Sequence, residues 1–268
     1  MIPHITTVKR PVGQLTRGKT ARNRLRRVDN FVMQYDPFLL RRRDDALFVD
    51  VGFGAEPITT LESAVRFRRL NPSLRVLGVE IDRERVDRAR PFADAHTDFR
   101  LGGFNLPLRP AETVRLIRAF NVLRQYDETV VAEAYATLGH YLQPGGLLIE
   151  GTSDPFGRVW VANLLRKTET ALVFEGVVFS INLRIGFNPA WFQPVLPKNM
   201  IHRVVPGEPV ARFLSDWKLA YRQSLPLLVW GAKQVFADSA HRLAAQGYRV
   251  NLRRRCLSKG YLLLNEMV

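Results

Sequence analysis

The segment Leu47–Pro57, with the sequence LFVDVGFGAEP, constrains the fold of this chain more than any other stretch. Its first five residues are apolar apart from Asp50, which is typical of a buried strand, and Gly52 and Gly54 follow in a tight turn. Pro57 suits the first turn of a helix. A strand that runs through a glycine turn into a helix is typical of an open parallel sheet, in which ligands bind beyond the carboxyl ends of the strands.

Strands and helices alternate over the hundred residues around this turn. Strands are predicted at 46–51, 75–81, 98–101, 113–120 and 147–151. Helices are predicted at 57–70, 82–89 and 127–142. Arg115 and Arg118 interrupt the fourth strand, and Ile58, Leu61 and Val65 form the apolar face of the first of these helices. The alternation predicts an α/β fold with a doubly wound, mostly parallel sheet and helices on both faces.

The chain is expected to have three parts: a basic N-terminal arm and helix over residues 1–43, a core over 46–153, and a C-terminal elaboration over 154–268. The core and the elaboration form one domain, 44–268. Prolines and glycines in 1–18 predict an extended or mobile arm, and a helix is predicted from Thr20 to Asp36.

The C-terminal elaboration has a different pattern from the core. Residues 158–167 and 171–183 are predicted to pair as antiparallel strands, although the first could equally be a helix. The five prolines of 187–209 predict a long ordered loop. Further helices are predicted at 209–223 and 225–246, and closing strands at 248–252 and 261–264 around the basic turn 253–255.

The charge of the chain predicts a polyanionic partner, for which RNA is the first candidate. There are 40 basic and 25 acidic residues, a net charge of +15. Residues 1–28 contain eight of the basic residues and no acidic one. The predicted nucleic-acid contacts are Arg17, Lys19, Arg22, Arg24, Arg26, Arg27 and, far downstream, His202. The alternatives for the arm are a solvated tail or an arm that folds back on its own domain.

Other features of the composition narrow the class of protein. The chain has no apolar run of about 18 residues, and its N-terminus lacks the apolar segment of a signal peptide. Cys256 is the only cysteine, and the five histidines show no metal-ligand spacing. The sequence therefore predicts a cytoplasmic protein with no membrane span and no metal; the oligomeric state stays open.

The residues around the glycine turn predict which ligand it holds. A dinucleotide site has a third glycine, but Pro57 stands in that position, preceded by Glu56. Asp50 and Glu56 would repel a pyrophosphate, whereas they suit a cationic cofactor such as S-adenosylmethionine. Glu80, at the end of the second strand, is placed to accept the ribose hydroxyls, with Ile81 beside it.

A flat apolar contact for adenine is expected after the third strand. The sequence GGFNLP offers Gly103, which keeps the backbone close to a ligand, and Phe104, which can stack on the base. Phe104 could equally be an ordinary core residue. The predicted cofactor-binding set is Asp50, Gly52, Gly54, Glu56, Glu80, Ile81, Gly103, Phe104 and Asn121.

Four motifs in order resemble those of class I S-adenosylmethionine-dependent methyltransferases. They are DVGFG, VLGVEID, RLGGFNLP and LQPGGLLIEGT, although the third lacks the acidic residue that this family commonly has. The arm TRGKTARNRLRRVD and the segment FNVLRQYDE are also similar to those of bacterial members whose substrate is unassigned. The resemblance covers residues 46–151 most clearly and implies a Rossmann-like enzyme that transfers a methyl group.

Methyl transfer from a sulfonium mainly requires alignment of the nucleophile, the methyl group and the sulfur. The segment AFNVLRQYDE ends the fourth strand, and from it Asn121 and Arg124 are candidate catalytic residues, together with Asp154 after the fifth strand. Glu150, Thr152 and Arg158 are further candidates at that strand. Methylation of exocyclic base amines is disfavoured, because enzymes of that kind usually carry an Asn/Asp-Pro-Pro-aromatic motif here and this sequence lacks it. Formation of 5-methylpyrimidines is also disfavoured, because it needs a cysteine nucleophile near the fourth or fifth strand and Cys256 lies far downstream.

Three classes of function remain for this sequence. The first is an RNA methyltransferase acting on rRNA or tRNA. The second is a methyltransferase for a small anionic metabolite or a lipid-like acceptor, over which Trp191 and Phe192 in the proline-rich loop could close. The third is a binding protein that kept the fold without catalysis.

Overall fold

The computed structural model describes residues 10–266, so the first nine residues of the predicted arm lie outside the described part. The helices are α1 Arg26–Tyr35, α2 Pro37–Arg41, α3 Ile58–Phe67, α4 Arg83–Ala89, α5 Thr129–Tyr141, α6 Lys198–Ile201, α7 Pro209–Ser224, α8 Ala232–Ala245 and α9 Arg254–Leu257. The strands are β1 Leu47–Val51, β2 Val76–Glu80, β3 Thr97–Leu101, β4 Val114–Phe120, β5 Leu142–Ser153, β6 Val159–Lys167, β7 Leu172–Ile181 and β8 Tyr261–Leu264.

The eight strands form one sheet in the order β3-β2-β1-β4-β5-β6-β7-β8. The first five pair in parallel, and β6, β7 and β8 continue the sheet as an antiparallel meander. The predicted doubly wound α/β class is therefore confirmed. The chain reverses its direction of travel across the sheet between β1 and β4, and such a switch point opens a crevice at the carboxyl ends of these strands.

The elaboration differs from its prediction at three places. The predicted loop 187–209 contains the 3₁₀ helix Pro189–Val195 and α6. The predicted pairing of 158–167 with 171–183 is confirmed by β6 and β7. The predicted helix 225–246 is broken at Gly231, whose φ of 96° separates the 3₁₀ helix Leu225–Trp230 from α8. The predicted strand 248–252 is wrong: it is reduced to one bridge between Val250 and Leu264, and α9 follows it in place of a basic turn.

The helix predicted from Thr20 begins only at Arg26. Asn23 has a φ of 61°, in the left-handed region, and its backbone N–H donates to both carboxylate oxygens of Glu62 at 3.0 and 2.9 Å. This contact holds the chain out of helical geometry before α1. From there, Val28 and Phe31 are buried in the same apolar cluster as Trp160, so α1 packs against the sheet.

The buried face of α3 is partly polar and is not the face predicted from Ile58, Leu61 and Val65. Ala64 and Phe67 supply its apolar part. Val65 is 62% exposed, whereas Thr60 and Ser63 are fully buried. Thr60 donates to Asp50 at 2.6 Å, and Ser63 donates to both carboxylate oxygens of Asp29 at 2.9 and 3.0 Å. The hydroxyl groups face inward because two buried carboxylates need donors.

The two arginines of β4 do not interrupt the strand, because each finds its own set of acceptors in the interior. Arg118 is 1% exposed and joins Asp50 at 2.7 Å to Asp29 at 2.6 Å. Burial alone would lower the pKa of the Arg118 guanidinium, but the two carboxylates raise it, so it stays charged. Arg115 is fully buried and donates to backbone carbonyls at the amino end of β1, among them Ala46 at 2.8 Å.

Candidate functional site

The glycine turn after β1 lies at the carboxyl edge of the sheet and approaches two other segments closely. Gly52 and Gly54 have φ values of 71° and 88°. A Cβ on Gly52 would stand 2.6 Å from a methyl of Val122, and one on Gly54 would stand 2.6 Å from the carbonyl oxygen of Gly18. The turn therefore requires glycine both for its backbone conformation and for the space around it.

Glu80 ends β2 beside this turn and is 2% exposed. Its carboxylate accepts the backbone N–H groups of Gly54 and Ile81, both at 2.9 Å. Arg85 lies 3.6 Å from it. A carboxylate has about four acceptor positions, so capacity remains for a hydroxyl of a ligand. Glu80 thus fixes the glycine turn and keeps the position predicted for a ribose contact.

The N-terminal arm crosses the predicted adenine position. The backbone carbonyl of Val12 accepts the N–H of Phe104 at 2.8 Å, and the Val12 N–H donates to Asn105 at 2.6 Å. A Cβ on Gly103 would collide with the Val12 carbonyl. Phe104 is 3% exposed and packs against Tyr126, with ring centroids 5.3 Å apart. Residues 10–20 therefore fold back on their own domain, the alternative that the sequence left open.

Three more contacts fasten the arm across the strand ends. The Arg17 N–H donates to Gln125 at 2.9 Å. The Thr16 carbonyl accepts from Arg85 at 2.9 Å, and the Gly18 carbonyl accepts the Ala55 N–H at 2.8 Å. The arm thus forms the roof of the site, using mainly backbone groups that a sequence pattern does not reveal.

Two cavities remain beneath this roof. One of about 20 Å³ lies between Val12, Ile81 and Phe104, at the predicted adenosyl position. The other, of about 230 Å³, lies between residues 16–20 of the arm, the glycine turn and Asn121. Ligand pockets commonly provide roughly 300–1,000 Å³. The second cavity suits the smaller, amino-acid end of S-adenosylmethionine, whereas the adenosyl end would need the arm to give way.

The structure corrects the electrostatic reasoning about Asp50 and Glu56. Asp50 lines the larger cavity, but Arg118 and Thr60 engage both of its oxygens, so its charge is largely offset. Glu56 is exposed and does not line either cavity. The argument that two free carboxylates repel a pyrophosphate is therefore wrong, and Glu80 is the one predicted carboxylate that lines the adenosyl-side cavity.

Asn121 lines the larger cavity and has a φ of 61°, a strained conformation for a residue other than glycine. Its side-chain oxygen accepts the Ser153 N–H at 2.9 Å, and its amide donates to the Ser153 hydroxyl at 3.2 Å. Asn121 therefore joins the ends of β4 and β5, and its contribution at the site is to hold that edge in place.

The other candidate catalytic residues differ in whether they line the larger cavity. Arg124 lines it, half-buried, and makes no ion pair or side-chain hydrogen bond with any of residues 10–266. Asp154 does not line it, and its carboxylate accepts the Arg158 N–H at 2.8 Å in a turn after β5. His202 is exposed at the end of α6, a helix that packs against the 3₁₀ turn Leu123–Gln125.

The predicted RNA contacts separate into two groups. Arg17, Lys19, Arg22 and Arg26 are exposed. Arg24 and Arg27 are half-buried and donate to protein acceptors: Arg24 to the Ser153 hydroxyl at 3.2 Å, and Arg27 to the Ile181 carbonyl at 2.7 Å. Both fasten the start of α1 to the sheet, and their lowered pKa values follow from burial.

Glu150 lies in the middle of β5, away from the cavity, and is 1% exposed. It accepts hydrogen bonds from Tyr135 at 2.7 Å and from Asn163 at 3.2 Å, while its other oxygen has no partner among the described residues. Burial raises the pKa of Glu150 to about 7. Its place among the candidates for chemistry was therefore wrong, because the strand continues past it and carries it into the interior.

Residues 10–266 contain neither a candidate membrane span nor a candidate metal site. No helix in this range is long and apolar enough to cross a membrane. No group of three or more His, Cys, Asp or Glu side chains there is gathered as metal ligands would be.

The strand order, the glycine turn after β1 and the acidic end of β2 are features of the Rossmann-like, class I methyltransferase type of fold. Comparison with family models and with curated proteins finds no match. Solved structures do match, at low identity, over part of the chain.

One is described as LepI in complex with SAM; it is 17% identical, with 41% of this chain and 27% of that chain covered and a TM-score of 0.33. Another is a putative sarcosine dimethylglycine methyltransferase from Galdieria sulphuraria, 11% identical, with coverages of 47% and 46% and a TM-score of 0.37. A third is a putative protein-L-isoaspartate O-methyltransferase from Plasmodium falciparum in complex with S-adenosyl-L-homocysteine. It is 15% identical, with coverages of 65% and 78% and a TM-score of 0.37.

The chain spans less than half of the length of the first two of these structures. At such TM-scores the likeness carries no argument about the activity of this chain.

Proposed function

We propose that this protein is a methyltransferase that uses S-adenosylmethionine and acts on RNA. The cofactor part of the proposal is supported by the glycine turn, by Glu80 beside it and by the four sequence motifs in their expected order. When bound, S-adenosylmethionine would supply a methyl group on a positively charged sulfur; the acceptor's nucleophile would attack the methyl carbon from the side opposite the departing sulfur. Glu80 would accept the ribose hydroxyls, and the cavity next to Asn121 would hold the amino-acid end.

Entry of the cofactor requires a change in the arm. Val12 and Gln14 occupy the space beside Phe104 where the adenine is expected, and the cavity left there is about 20 Å³. We infer that the segment 12–16 moves outward for the adenosyl group and then covers it. The hydrogen bonds that hold this segment are few, so the displacement costs far less than unfolding the domain.

The proposal that the methyl acceptor is RNA is supported by the positions of the cationic side chains that form no ion pair. Ten of the twelve arginines between residues 66 and 118 form ion pairs with carboxylates. By contrast, the cationic side chains that line the larger cavity form none with residues 10–266; they are Arg17, Lys19, Arg24 and Arg124. A concentration of uncompensated positive charge at a cavity attracts an anionic substrate.

The roles of the chain's own residues follow from their positions. Arg124 is placed to bind a phosphate of the acceptor, because its guanidinium lines the cavity and no described carboxylate neutralises it. Asn121 keeps the ends of β4 and β5 aligned through Ser153. Orientation of this kind is the main contribution that methyl transfer needs from an enzyme.

A small anionic metabolite is the second candidate, and one observation weakens it. No residue of 187–209 lines the larger cavity. Phe192 is fully buried against Trp217, with ring centroids 5.0 Å apart, so the proline-rich segment packs on the C-terminal core. In this arrangement it does not seal a small pocket beside the cofactor position.

The test has two stages. Calorimetry with S-adenosylmethionine should show binding to the wild type, and no heat together with no thermal shift at millimolar cofactor would refute the enzyme. Transfer of labelled methyl from S-adenosylmethionine is then measured with rRNA and tRNA isolated from a strain that lacks the gene, against the same RNA from the parent strain. The proposal is supported if RNA from the deletion strain takes up label and RNA from the parent strain does not. The second candidate, a small anionic metabolite, is supported if label appears in a small-molecule extract and not in RNA.

A further inference from the structure

A second groove lies beside the start of α1, away from the cofactor edge. It is open, has a volume of about 730 Å³ and lies between α1, the chain after β7 and the loop that leads into β8. Three cations line it, Arg27, Arg184 and Lys259, together with the amides of Asn30, Gln34 and Asn182. No carboxylate of residues 10–266 lines it. The groove thus offers positive charge and hydrogen-bond donors without an acidic group to offset them.

The central cation of this groove is held rigidly. Arg27 donates through Nη2 to the carbonyl oxygens of Ile181 and Lys259 at 2.7 and 2.8 Å, and through Nε to the Ser180 hydroxyl at 3.3 Å. Its guanidinium lies over the ring of Tyr261, 5.0 Å from the centroid. Nη1 donates to no acceptor among the described residues, so one edge of a fixed guanidinium is left for a ligand. Arginine held in this way suits a phosphate.

The two flanking cations are exposed. Arg184 follows β7, and Lys259 precedes β8. Neither forms an ion pair with any residue in the described range 10–266. Beyond them, α9 carries Arg254 and Arg255 on the surface, and the Arg255 carbonyl accepts from Gln34 at 3.2 Å at the groove wall. The positive surface therefore extends past the groove.

Short contacts connect this groove to the mouth of the larger cavity. Arg24 lines that cavity and lies only three residues before Arg27 in the chain. On the other side, the N–H of Asn182 donates to the carbonyl of Arg158 at 2.7 Å, which joins the turn after β5 to the groove. The two cationic surfaces are thus neighbours rather than separate patches.

We propose that the groove binds the phosphates of an unpaired RNA strand next to the nucleotide that lies at the mouth of the larger cavity. This inference rests on the proposed function, because it assigns the second part of the same acceptor site. A concave surface with amides beside a fixed guanidinium group matches a flexible strand, which offers phosphates and exposed base edges together. A lipid bilayer is flat and would leave Arg27, at the groove floor, out of reach.

The experiment measures the affinity of a fluorescein-labelled 15-nucleotide oligouridine by fluorescence anisotropy between 50 and 300 mM salt. The test variant is R184Q/K259Q, which leaves the structural residue Arg27 intact. The matched control is R41Q/R43Q, since both arginines are exposed at the amino end of the sheet and form no ion pair among residues 10–266. Both variants lose two positive charges, so the control removes the effect of net charge.

We expect R184Q/K259Q to weaken binding about 10-fold at low salt and to reduce the salt slope by about 1.4, or 0.7 for each lost phosphate contact. The control should change the affinity less than 3-fold. Equal behaviour of the two variants would overturn the inference. It would also be overturned if the test variant lost binding to vesicles of phosphatidylglycerol and phosphatidylcholine while its RNA affinity was unchanged.

Cofactor binding is measured on the same samples by thermal shift with S-adenosylmethionine. If R184Q/K259Q weakens RNA binding but S-adenosylmethionine causes no thermal shift, the groove is supported and the methyltransferase is refuted. If S-adenosylmethionine causes a thermal shift and RNA is methylated, but the two variants bind RNA equally well, the methyltransferase is supported and the groove is refuted.

Discussion

The hydroxyl group of Tyr126 holds Gln14 through both of its backbone polar groups. It accepts the Gln14 N–H at 2.6 Å and donates to the Gln14 carbonyl at 3.0 Å. Burial raises the pKa of this phenol, so it stays protonated and able to donate at neutral pH. One side chain at the cofactor edge thereby fastens the arm over the position predicted for adenine.

Replacing this hydroxyl should loosen the arm. In Tyr126→Phe both hydrogen bonds to Gln14 are lost, which costs about 1–3 kcal/mol and raises the open population of the arm roughly 5- to 150-fold. Trypsin cleavage after Arg17 and Lys19 should accelerate by the same factor, because cleavage follows the open population when closing is fast. Binding of S-adenosylmethionine should also become faster in stopped-flow measurements.

Tyr141→Phe is the control for this change. Tyr141 is half-buried at the end of α5, and its hydroxyl has no hydrogen-bond partner in the described part of the chain. Its cleavage rate should equal that of the wild type. If Tyr126→Phe also left the rate unchanged, the hydroxyl would not be what holds the arm.

Removing the buried guanidinium of β4 should be among the most destabilising single changes. Arg118→Met leaves Asp29 and Asp50 buried without their common partner, and breaking a buried ion pair costs about 3–5 kcal/mol. Urea unfolding measures this loss. Arg69→Met, an exposed residue after α3, should stay within about 0.5 kcal/mol of the wild type. A loss of less than 1 kcal/mol for Arg118→Met would contradict the role assigned to the network.

Glu80→Gln should weaken the cofactor site specifically. The amide places a donor group opposite the N–H of Gly54 or of Ile81 and offers fewer acceptor positions for ribose hydroxyls. We expect the Kd for S-adenosylmethionine to rise about 10- to 100-fold by calorimetry. Glu84→Gln, with an 86% exposed side chain on α4, should keep the wild-type Kd. An unchanged Kd in Glu80→Gln would remove Glu80 from the site.

Glu150 should make the stability of the fold depend on pH. Its pKa is raised from 4.5 to about 7 in the folded protein, so the folded state holds a proton that the unfolded state releases. Stability from this group is therefore fully present below pH 4.5 and declines as the pH rises toward 7. The total decline is on the order of 3 kcal/mol.

The variant Glu150→Gln tests this window, because its amide oxygen can still accept from Tyr135 and Asn163. The difference in unfolding free energy between variant and wild type should grow in favour of the variant from pH 5 to pH 8, as measured by urea unfolding. Glu133→Gln, exposed on α5, should show no such trend. A constant difference for Glu150→Gln would show that its carboxyl is not held protonated.

Much of the core was predictable because its signals are local. Apolar runs of five to seven residues identify buried strands, and an Asp such as Asp82 marks the start of a helix, since it caps α4 by accepting from the N–H groups of Glu84 and Arg85. The order of strands and helices then restricts the sheet to few topologies. The face of α3 was not predictable, since apolar periodicity presumes an apolar core, and here Asp29 and Asp50 select hydroxyl groups instead.

The candidate site, like the fold, was predictable from the sequence only in part. Gly52, Gly54 and Glu80 stand at the ends of consecutive strands, and the sequence alone determined that they share one edge of a parallel sheet. Only the tertiary structure decided that Arg118 offsets the charge of Asp50, and that the basic arm covers the cofactor position through the backbone groups of Val12 and Gln14. These contacts join residues between 68 and 112 positions apart in the chain, and backbone hydrogen bonds leave no mark on side-chain identity.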